Sequence, residues 1–156
     1  LRTRLLGRSL LAVGIGGGLT LVLATQGVLA LDPWYLPRYV VPLAGMTFAN
    51  AMTAVSLAAE RVQAELAHGG SWAKARNTAY QAAMIPVINS LLAVGLVSLP
   101  GMMTGQILSG VSPLLAARYQ ILIMCLIFAA AGLAAALFLA GARRVLAPPP
   151  AEDHGH

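Results

Sequence analysis

Charged residues are scarce in this sequence. Asp, Glu, Lys and Arg make up 10% of its 156 residues, and hydrophobic residues make up 58%. An ordinary soluble domain is about 25% charged, so this balance argues against a water-soluble domain and favours an integral membrane protein. The single cysteine, Cys125, rules out a disulfide framework within the chain.

The sequence contains four long stretches without any charged residue. They are Ser9–Leu31, Tyr39–Ala59, Asn77–Ala117 and Tyr119–Ala142, with lengths of 23, 21, 41 and 24 residues. A helix needs about 20 apolar residues to cross the hydrocarbon core. As one helix the 41-residue stretch would be about 60 Å long, so we interpret it as one crossing followed by an irregular segment. The fold class predicted is all-α and integral to the membrane, with about four transmembrane helices at 10–31, 40–59, 83–101 and 119–140, and a short outer turn at 31–39.

Basic residues alternate between the two sides of the predicted membrane. Eight of the ten lie before the first span, between the second and third, or after the last: Arg2, Arg4, Arg8, Arg61, Lys74, Arg76, Arg143 and Arg144. Only Arg38 and Arg118 fall on the other side. The positive-inside rule then predicts the cytoplasmic (inner) membrane with both termini in the cytoplasm. Basic residues spread in this way do not form a nucleic-acid-binding patch.

Residues 60–82, between the second and third spans, differ in character from the rest. Charged and apolar residues alternate here around a glycine pair, Gly69 and Gly70. This pattern predicts two short amphipathic helices joined by a glycine turn. Such a hairpin on the cytoplasmic face is either a docking element or a solvated loop, and we favour docking because a loop needs neither Trp72 nor an ordered pattern.

Polar residues inside the spans point to a pathway or to close helix packing. Asn50, Thr53 and Ser56 recur every three residues and form a stripe, which we expect to face other helices or a cavity. The segment LPGMMTGQILSGVSP, residues 99–113, is either a broken or re-entrant segment lining a water-filled path or a wet helix end near the outer surface. The methionine thioethers suit soft metal ions but also serve as core filler.

The usual arrangements of catalytic residues are missing. The spans contain no acid–base pair, no zinc motif and no phosphate-binding glycine loop followed by Lys and Ser or Thr. We therefore predict that the chain is not an enzyme. A secondary transporter would be expected to carry an ionisable residue at membrane depth, and none is present in the spans. Transport driven by another subunit, anchoring or sensing remain.

Three segments carry a resemblance to a known family. These are PLAGMTFANAMTAVSLAAERV (42–62), IPVINSLLAVGLVSLPGMMTGQILSGVSPLLAARYQI (85–121) and the alanine-rich last helix. They resemble the FetB-type permeases of ABC transporters, an iron-export family classed as the uncharacterised UPF0014 family, with plant aluminium-sensitivity relatives. The resemblance implies a permease domain at 1–146. Residues 147–156 are polar and proline-rich, which predicts a disordered cytoplasmic tail.

Function, partners and site residues follow from that resemblance. It implies a permease that exports a metal, with iron proposed, beside a second permease copy and a cytoplasmic ABC ATPase that binds the ATP, so that this chain holds no cofactor. The pathway or hinge candidates are Gly45, Met46, Asn50, Asn89, Ser90, Pro100, Gly101, Met102, Met103, Thr104 and Gln106. The ATPase-coupling candidates are Glu60, Arg61, Glu65, His68, Gly69, Trp72 and Arg76. Any residues that bind the metal are unknown.

One departure from the family leaves an alternative open. Family members carry further spans before the matched region, so we expect this chain to be truncated or to need other subunits. The alternative function is a truncated or regulatory membrane subunit that associates with other membrane chains through its Gly and Ala faces without transporting.

Overall fold

The described part of the protein, in a computed structural model, comprises residues 2–28, 37–96 and 100–146. Every regular element within these residues is helical, which confirms the predicted all-α class. Most of the predicted outer turn and the whole predicted tail lie outside the described residues. The elements in chain order are α1 (Arg2–Val22), a π-helical segment (Leu23–Val28), α2 (Pro37–Ala67), α3 (Trp72–Leu96), α4 (Gly101–Leu108) and α5 (Pro113–Leu146).

Three of these helices are long and apolar enough to cross a membrane. The candidate spans within the described residues are Leu5–Gly27, Val40–Ala67 and Pro113–Leu146. α3 is not among them, and it carries Lys74 and Arg76 in its first turns and Asn89 and Ser90 deeper in. The chain is an integral membrane protein, and a fourth crossing that includes α3 stays a prediction.

α1 and α3 run antiparallel to α5. An Arg8 guanidinium nitrogen donates a hydrogen bond to the Gly141 carbonyl, and Gly16 lies against Ala134, so α1 and α5 run in opposite directions. Tyr80 of α3 similarly approaches Gly132. The start of α1, the turn between α2 and α3, and the end of α5 therefore lie at the same end of the bundle.

Small side chains dominate the core and let the helix backbones approach closely. α5 packs against all four other α helices, and α2 packs against α1, α3 and α5. The alanines that are at most 2% exposed lie on three helices: Ala51, Ala54 and Ala58 on α2, Ala75, Ala79 and Ala83 on α3, and Ala116, Ala130, Ala131, Ala134, Ala135 and Ala142 on α5. On α2 and α3 their spacing of three or four residues gives one continuous buried stripe.

The helical arms and the glycine turn predicted in 60–82 are confirmed, but the arms are not separate short helices. α2 continues without interruption to Ala67, and α3 begins at Trp72, eleven residues before the predicted start of the third span. No Gly or Pro lies between Ser56 and Ala67, and the Ala, Glu, Arg, Gln and Leu residues there are good helix formers. The two arms are therefore extensions of the long helices, joined by a turn at 68–71.

The predicted irregular segment after Pro100 is partly helical. Its first part is the eight-residue helix α4, which Pro100 precedes in an extended conformation, and the predicted end of the third span at Gly101 falls inside α4. Gly110 has a φ of +89° and ends the following turn. α5 then begins at Pro113 rather than near 119, because Pro suits the first helical position and the Ser112 hydroxyl accepts a hydrogen bond from the Leu115 amide at 3.4 Å.

Candidate substrate pathway and coupling turn

The turn between α2 and α3 is a Schellman motif. The Gly70 amide donates to the Glu65 carbonyl at 3.1 Å, and the Gly69 amide donates to the Leu66 carbonyl at 3.0 Å. Gly69 has a φ of +79°, a conformation that glycine adopts at little cost. These bonds satisfy carbonyls at the end of α2 and define the path of the chain between the two helices.

Charged side chains surround this turn and are partly paired within α2. Arg61 and Glu65 form an ion pair with a nitrogen–oxygen distance of 2.7 Å. The His68 Nδ1 atom lies 2.7 Å from the Ala64 carbonyl oxygen. Glu60, like Arg61 and His68, is exposed. These three side chains are therefore accessible to a partner at the end of the bundle.

The other coupling candidates have different surroundings. Trp72 is half-buried and packs against the hydrophobic core. Arg76 is exposed one turn into α3, where it donates to the Asn77 side-chain oxygen. Trp72 thus contributes to the packing of the turn, whereas Arg76 belongs to a different surface, described below.

The pathway candidates of α2 lie at or near the surface of the described bundle. Gly45 is exposed, Met46 is half-buried against the core, and the Asn50 side-chain nitrogen donates to the Met46 carbonyl at 2.8 Å. Thr53 and Ser56, which continue the predicted polar stripe, are exposed. Within the described residues other helices do not cover this stripe, so the expectation that it faces other helices or a cavity stays a prediction.

The candidates of α3 are also on the outside. Asn89 and Ser90 are both exposed, and the Ser90 hydroxyl donates to the Pro86 carbonyl at 2.9 Å. Because α3 begins at Trp72, Pro86 lies in the helix interior, where it cannot donate to the Ala82 carbonyl four residues earlier. Pro86 and Ser90 thus create a local irregularity in the hydrogen bonding of α3.

The remaining candidates surround or lie on α4, which packs against α5 and has no buried residue. Met102, Met103 and Gln106 are half-buried, whereas Gly101 and Thr104 are exposed. The Thr104 hydroxyl donates to the Pro100 carbonyl at 3.2 Å. The helix therefore presents two thioethers and an amide near α5, with Met102 packed against the core.

These candidates do not converge on one enclosed site among the described residues. Several of their polar groups bond carbonyls four residues earlier, so they can face lipid or another helix without an unsatisfied donor. The described residues also contain no group of three or more His, Cys, Asp or Glu that could hold a metal ion. The pathway roles stay predictions.

A cavity of about 440 Å³ lies elsewhere, between α3 and α5. Its lining residues are Arg76, Asn77, Tyr80, Gln81, Ala136, Leu139 and Ala140. Sequence reasoning singled out only Arg76, and for another role. The signal was present in the spacing: Arg76 and Tyr80, and likewise Asn77 and Gln81, are four residues apart and share one side of a helix.

The chain is similar to known proteins over most of its length. The family model described as "Uncharacterised protein family (UPF0014)" matches residues 2–146, which is nearly the whole chain. The chain belongs to the UPF0014 family. The resemblance seen in the sequence is confirmed.

Named UPF0014 relatives come from bacteria and plants. The chain is 36% identical over 141 residues to the "Probable iron export permease protein FetB" of Escherichia coli, covering 80% of this chain and 53% of that protein. It is 39% identical over 129 residues to the "UPF0014 membrane protein YjkA" of Bacillus subtilis, covering 71% and 51%. It is 36% identical over 141 residues to the rice "UPF0014 membrane protein STAR2", covering 80% and 48%.

The chain spans about half the length of these UPF0014 relatives. No solved structure gives a significant match.

Proposed function

We propose that this UPF0014 protein is the permease subunit of an ABC-type exporter whose ATP is bound and hydrolysed by a separate cytoplasmic ATPase. A relative 36% identical is named a probable iron export permease, and others are named membrane proteins of the same family. The chain itself has the all-helical build of a transport subunit. A second permease copy would complete the assembly.

The observation that carries this proposal is the end of the bundle formed by the turn at 68–71. Arg8, Arg61, Lys74, Arg76, Arg143 and Arg144 all belong to helix segments at this end, whereas Arg38 and Arg118 belong to segments at the other. By the positive-inside rule this end faces the cytoplasm. The turn is then on the side where an ATPase would dock, in the inner membrane with both termini inside.

The turn suits the transmission of movement because it is short and lies next to exposed charged residues of α2. Its Schellman hydrogen bonds cap the end of α2, and only four residues separate α2 from α3, so a displacement of the turn would move the ends of both helices. Glu60, Arg61 and His68 offer charged or polar contacts to the ATPase, while Trp72 packs the turn onto the core.

Iron, or another metal ion, is the proposed substrate, and only the name of the FetB relative supports it. The described residues contain no group of carboxylates and imidazoles that could hold a metal ion. Weaker ligands would therefore have to bind the ion as it moves through the membrane. Met46, Met102 and Met103 provide thioethers, and Asn50 and Gln106 provide amides. Such ligands release an ion readily, as a transport path requires.

Co-purification with an ABC ATPase from the same genome, chosen by gene neighbourhood, tests the coupling role. Glu60→Ala with His68→Ala should reduce the recovered ATPase several-fold, because both exposed side chains lie at the docking end. Arg118→Ala is the matched control at the opposite end and should leave recovery unchanged. Equal recovery of the ATPase with all variants would show that the turn does not bind it. If no ATPase is recovered with the unsubstituted chain, the result counts against the ABC assignment.

A membrane subunit that associates without transporting is the second candidate. The surface position of Asn50, Thr53 and Ser56 favours it, since a polar stripe on the outside of the described helices can bind another membrane chain. Proteoliposomes holding the chain and the ATPase discriminate between the two. ATP-dependent movement of iron favours the permease, and stable assembly without movement favours the second candidate.

A further inference from the structure

The cavity between α3 and α5 has a polar side and an apolar side. The first three turns of α3 provide four lining residues, Arg76, Asn77, Tyr80 and Gln81. The last part of α5 provides the other three, Ala136, Leu139 and Ala140. α3 therefore provides one cation, two amides and a phenol. α5 provides only aliphatic side chains.

Arg76 carries a positive charge that is not balanced within the described residues. Its Nε and Nη2 atoms donate to the Asn77 side-chain oxygen at 3.3 and 3.2 Å, which is a neutral partner. The acidic residues in the described ranges are Glu60 and Glu65 on α2, and Glu65 is paired with Arg61. Since a guanidinium has five N–H donors, Arg76 retains donors for an anion at the cavity.

Tyr80 is positioned at the same cavity by the packing of α3 on α5. Gly132 leaves room for it, because a Cβ atom built at Gly132 would lie 3.2 Å from the Tyr80 hydroxyl oxygen. Met84 contacts the same position from one turn further along α3. The phenol therefore lies close to the α5 backbone and lines the cavity with Arg76.

Exposed small and apolar side chains lie along α5 and further along α3. Ala136 and Ala140 are exposed and one turn apart, so they leave a shallow lane of small side chains on α5. Ile88 on α3 and Phe128 on α5, each eight residues from a lining residue, are exposed apolar side chains further along. A long hydrocarbon chain has an apolar surface to follow from the cavity toward the middle of the helices.

We propose that this cavity binds an anionic phospholipid. The phosphate accepts hydrogen bonds from Arg76 and from donors of Tyr80 or Gln81, and one acyl chain lies along Ala136 and Ala140. Basic pockets between transmembrane helices bind anionic head groups in this way. A membrane lipid fits better than a free phosphate because three of the seven lining residues are aliphatic. This site is independent of the proposed transport function.

Native mass spectrometry of the detergent-purified full chain tests the proposal. The probes are dioleoyl-phosphatidylglycerol, its phosphatidylcholine counterpart with the same chains, and inorganic phosphate as a competitor. Arg76→Gln should weaken phosphatidylglycerol binding about tenfold, as expected for the loss of a charged hydrogen bond. Ala140→Leu, which fills the lane at an exposed position, should weaken it without changing any charge.

Two variants outside the cavity provide matched controls. Arg118→Gln removes an exposed arginine at the opposite end of α5, and Ala49→Leu enlarges an exposed alanine on α2. Both should bind phosphatidylglycerol like the unsubstituted chain, and circular dichroism verifies that all four variants are folded.

Preference for phosphatidylglycerol over phosphatidylcholine, lost in Arg76→Gln and Ala140→Leu alone, supports the proposal. Equal binding of the two lipids, or equal losses in the controls, overturns it. Displacement of the lipid by millimolar inorganic phosphate, with Ala140→Leu unaffected, identifies a simple phosphate site and overturns the lipid assignment.

Discussion

Gly16 of α1 lies directly against the backbone of Ala134 of α5. A Cβ atom added at Gly16 would come within 2.9 Å of both the nitrogen and the Cα atom of Ala134. Because the obstacle is backbone, no rotation of a side chain can relieve the contact. Gly16→Ala must push α1 and α5 apart, and we expect it to lower the free energy of unfolding by about 1–3 kcal/mol. Thermal unfolding in detergent, followed by circular dichroism, measures the effect.

Gly18 provides the control on the same helix. A Cβ atom there would meet no other atom within 4 Å, so Gly18→Ala should leave stability unchanged or raise it by up to about 1 kcal/mol, the helix-propensity difference. Equal losses at both glycines would mean that close contact between α1 and α5 does not determine the effect.

Gly69 is required for a different reason, which is its backbone conformation. Gly69 has a φ of +79°, and a Cβ atom built there would meet no other atom within 4 Å. A side chain would therefore not clash, but an L residue is disfavoured in this backbone conformation. Gly69→Ala should cost about 1–2 kcal/mol, and Gly69→Asn should cost less because Asn tolerates this conformation. The same unfolding measurement tests both.

Gly105 is the matched control for the turn. It is exposed, lies within α4, and has a normal helical conformation with open space. Gly105→Ala should be neutral or stabilising. If Gly69→Asn proved as damaging as Gly69→Ala, the left-handed conformation would not explain the requirement for glycine.

The helical class of the chain could be predicted because the uncharged runs match the length of a membrane crossing. The ends of the helices could not be predicted in this way, because a charged residue ends the apolar part of a helix but not the helix itself. α2 continues past Glu60 and Arg61 to Ala67 because these residues are good helix formers even where the chain leaves the apolar region.

Glycine and proline misled the interpretation of the segment around α4. In the sequence Pro100 and Gly110 favour irregular backbone, but in the structure they lie just before and just after a short helix. A residue that breaks a long helix also begins or ends a short one. The sequence pattern alone does not separate these cases, because the outcome depends on whether the intervening residues pack, as Met102 does.

The cavity could not be predicted because it depends on which helices are neighbours. The polar spacing of Arg76, Tyr80 and their neighbours is visible in the sequence. The alanines at 136 and 140 are indistinguishable there from the many other alanines of α5. Only the antiparallel packing of α3 on α5 brings the two sets together.

Thr47 is fully buried, and its hydroxyl has no hydrogen-bond partner within the described residues. A buried polar group without a partner is costly. Thr47→Val replaces the hydroxyl with a methyl group of similar shape, so we expect stability to be unchanged or raised by about 1 kcal/mol. A loss of stability would mean that the hydroxyl has a partner in the membrane-embedded protein.

Thr20 is the comparison for Thr47. It is also buried, but its hydroxyl donates to the Gly16 carbonyl. Thr20→Val should therefore lower the free energy of unfolding by about 0.5–1.5 kcal/mol, the usual value for one hydrogen bond. The test is therefore whether the change in the free energy of unfolding has opposite signs in Thr47→Val and Thr20→Val.

Arg61 and Glu65 form an ion pair one turn apart on α2, with the two side chains 51% and 20% exposed. Pairs of this kind contribute only about 0.3–0.5 kcal/mol because water and salt screen them. A double-mutant cycle with Arg61→Gln and Glu65→Gln should therefore give a coupling energy below about 0.5 kcal/mol, and a value above 1 kcal/mol would contradict this view. Because Glu65→Gln then leaves the fold intact, any loss of ATPase binding in that variant reports a lost contact at the turn rather than unfolding.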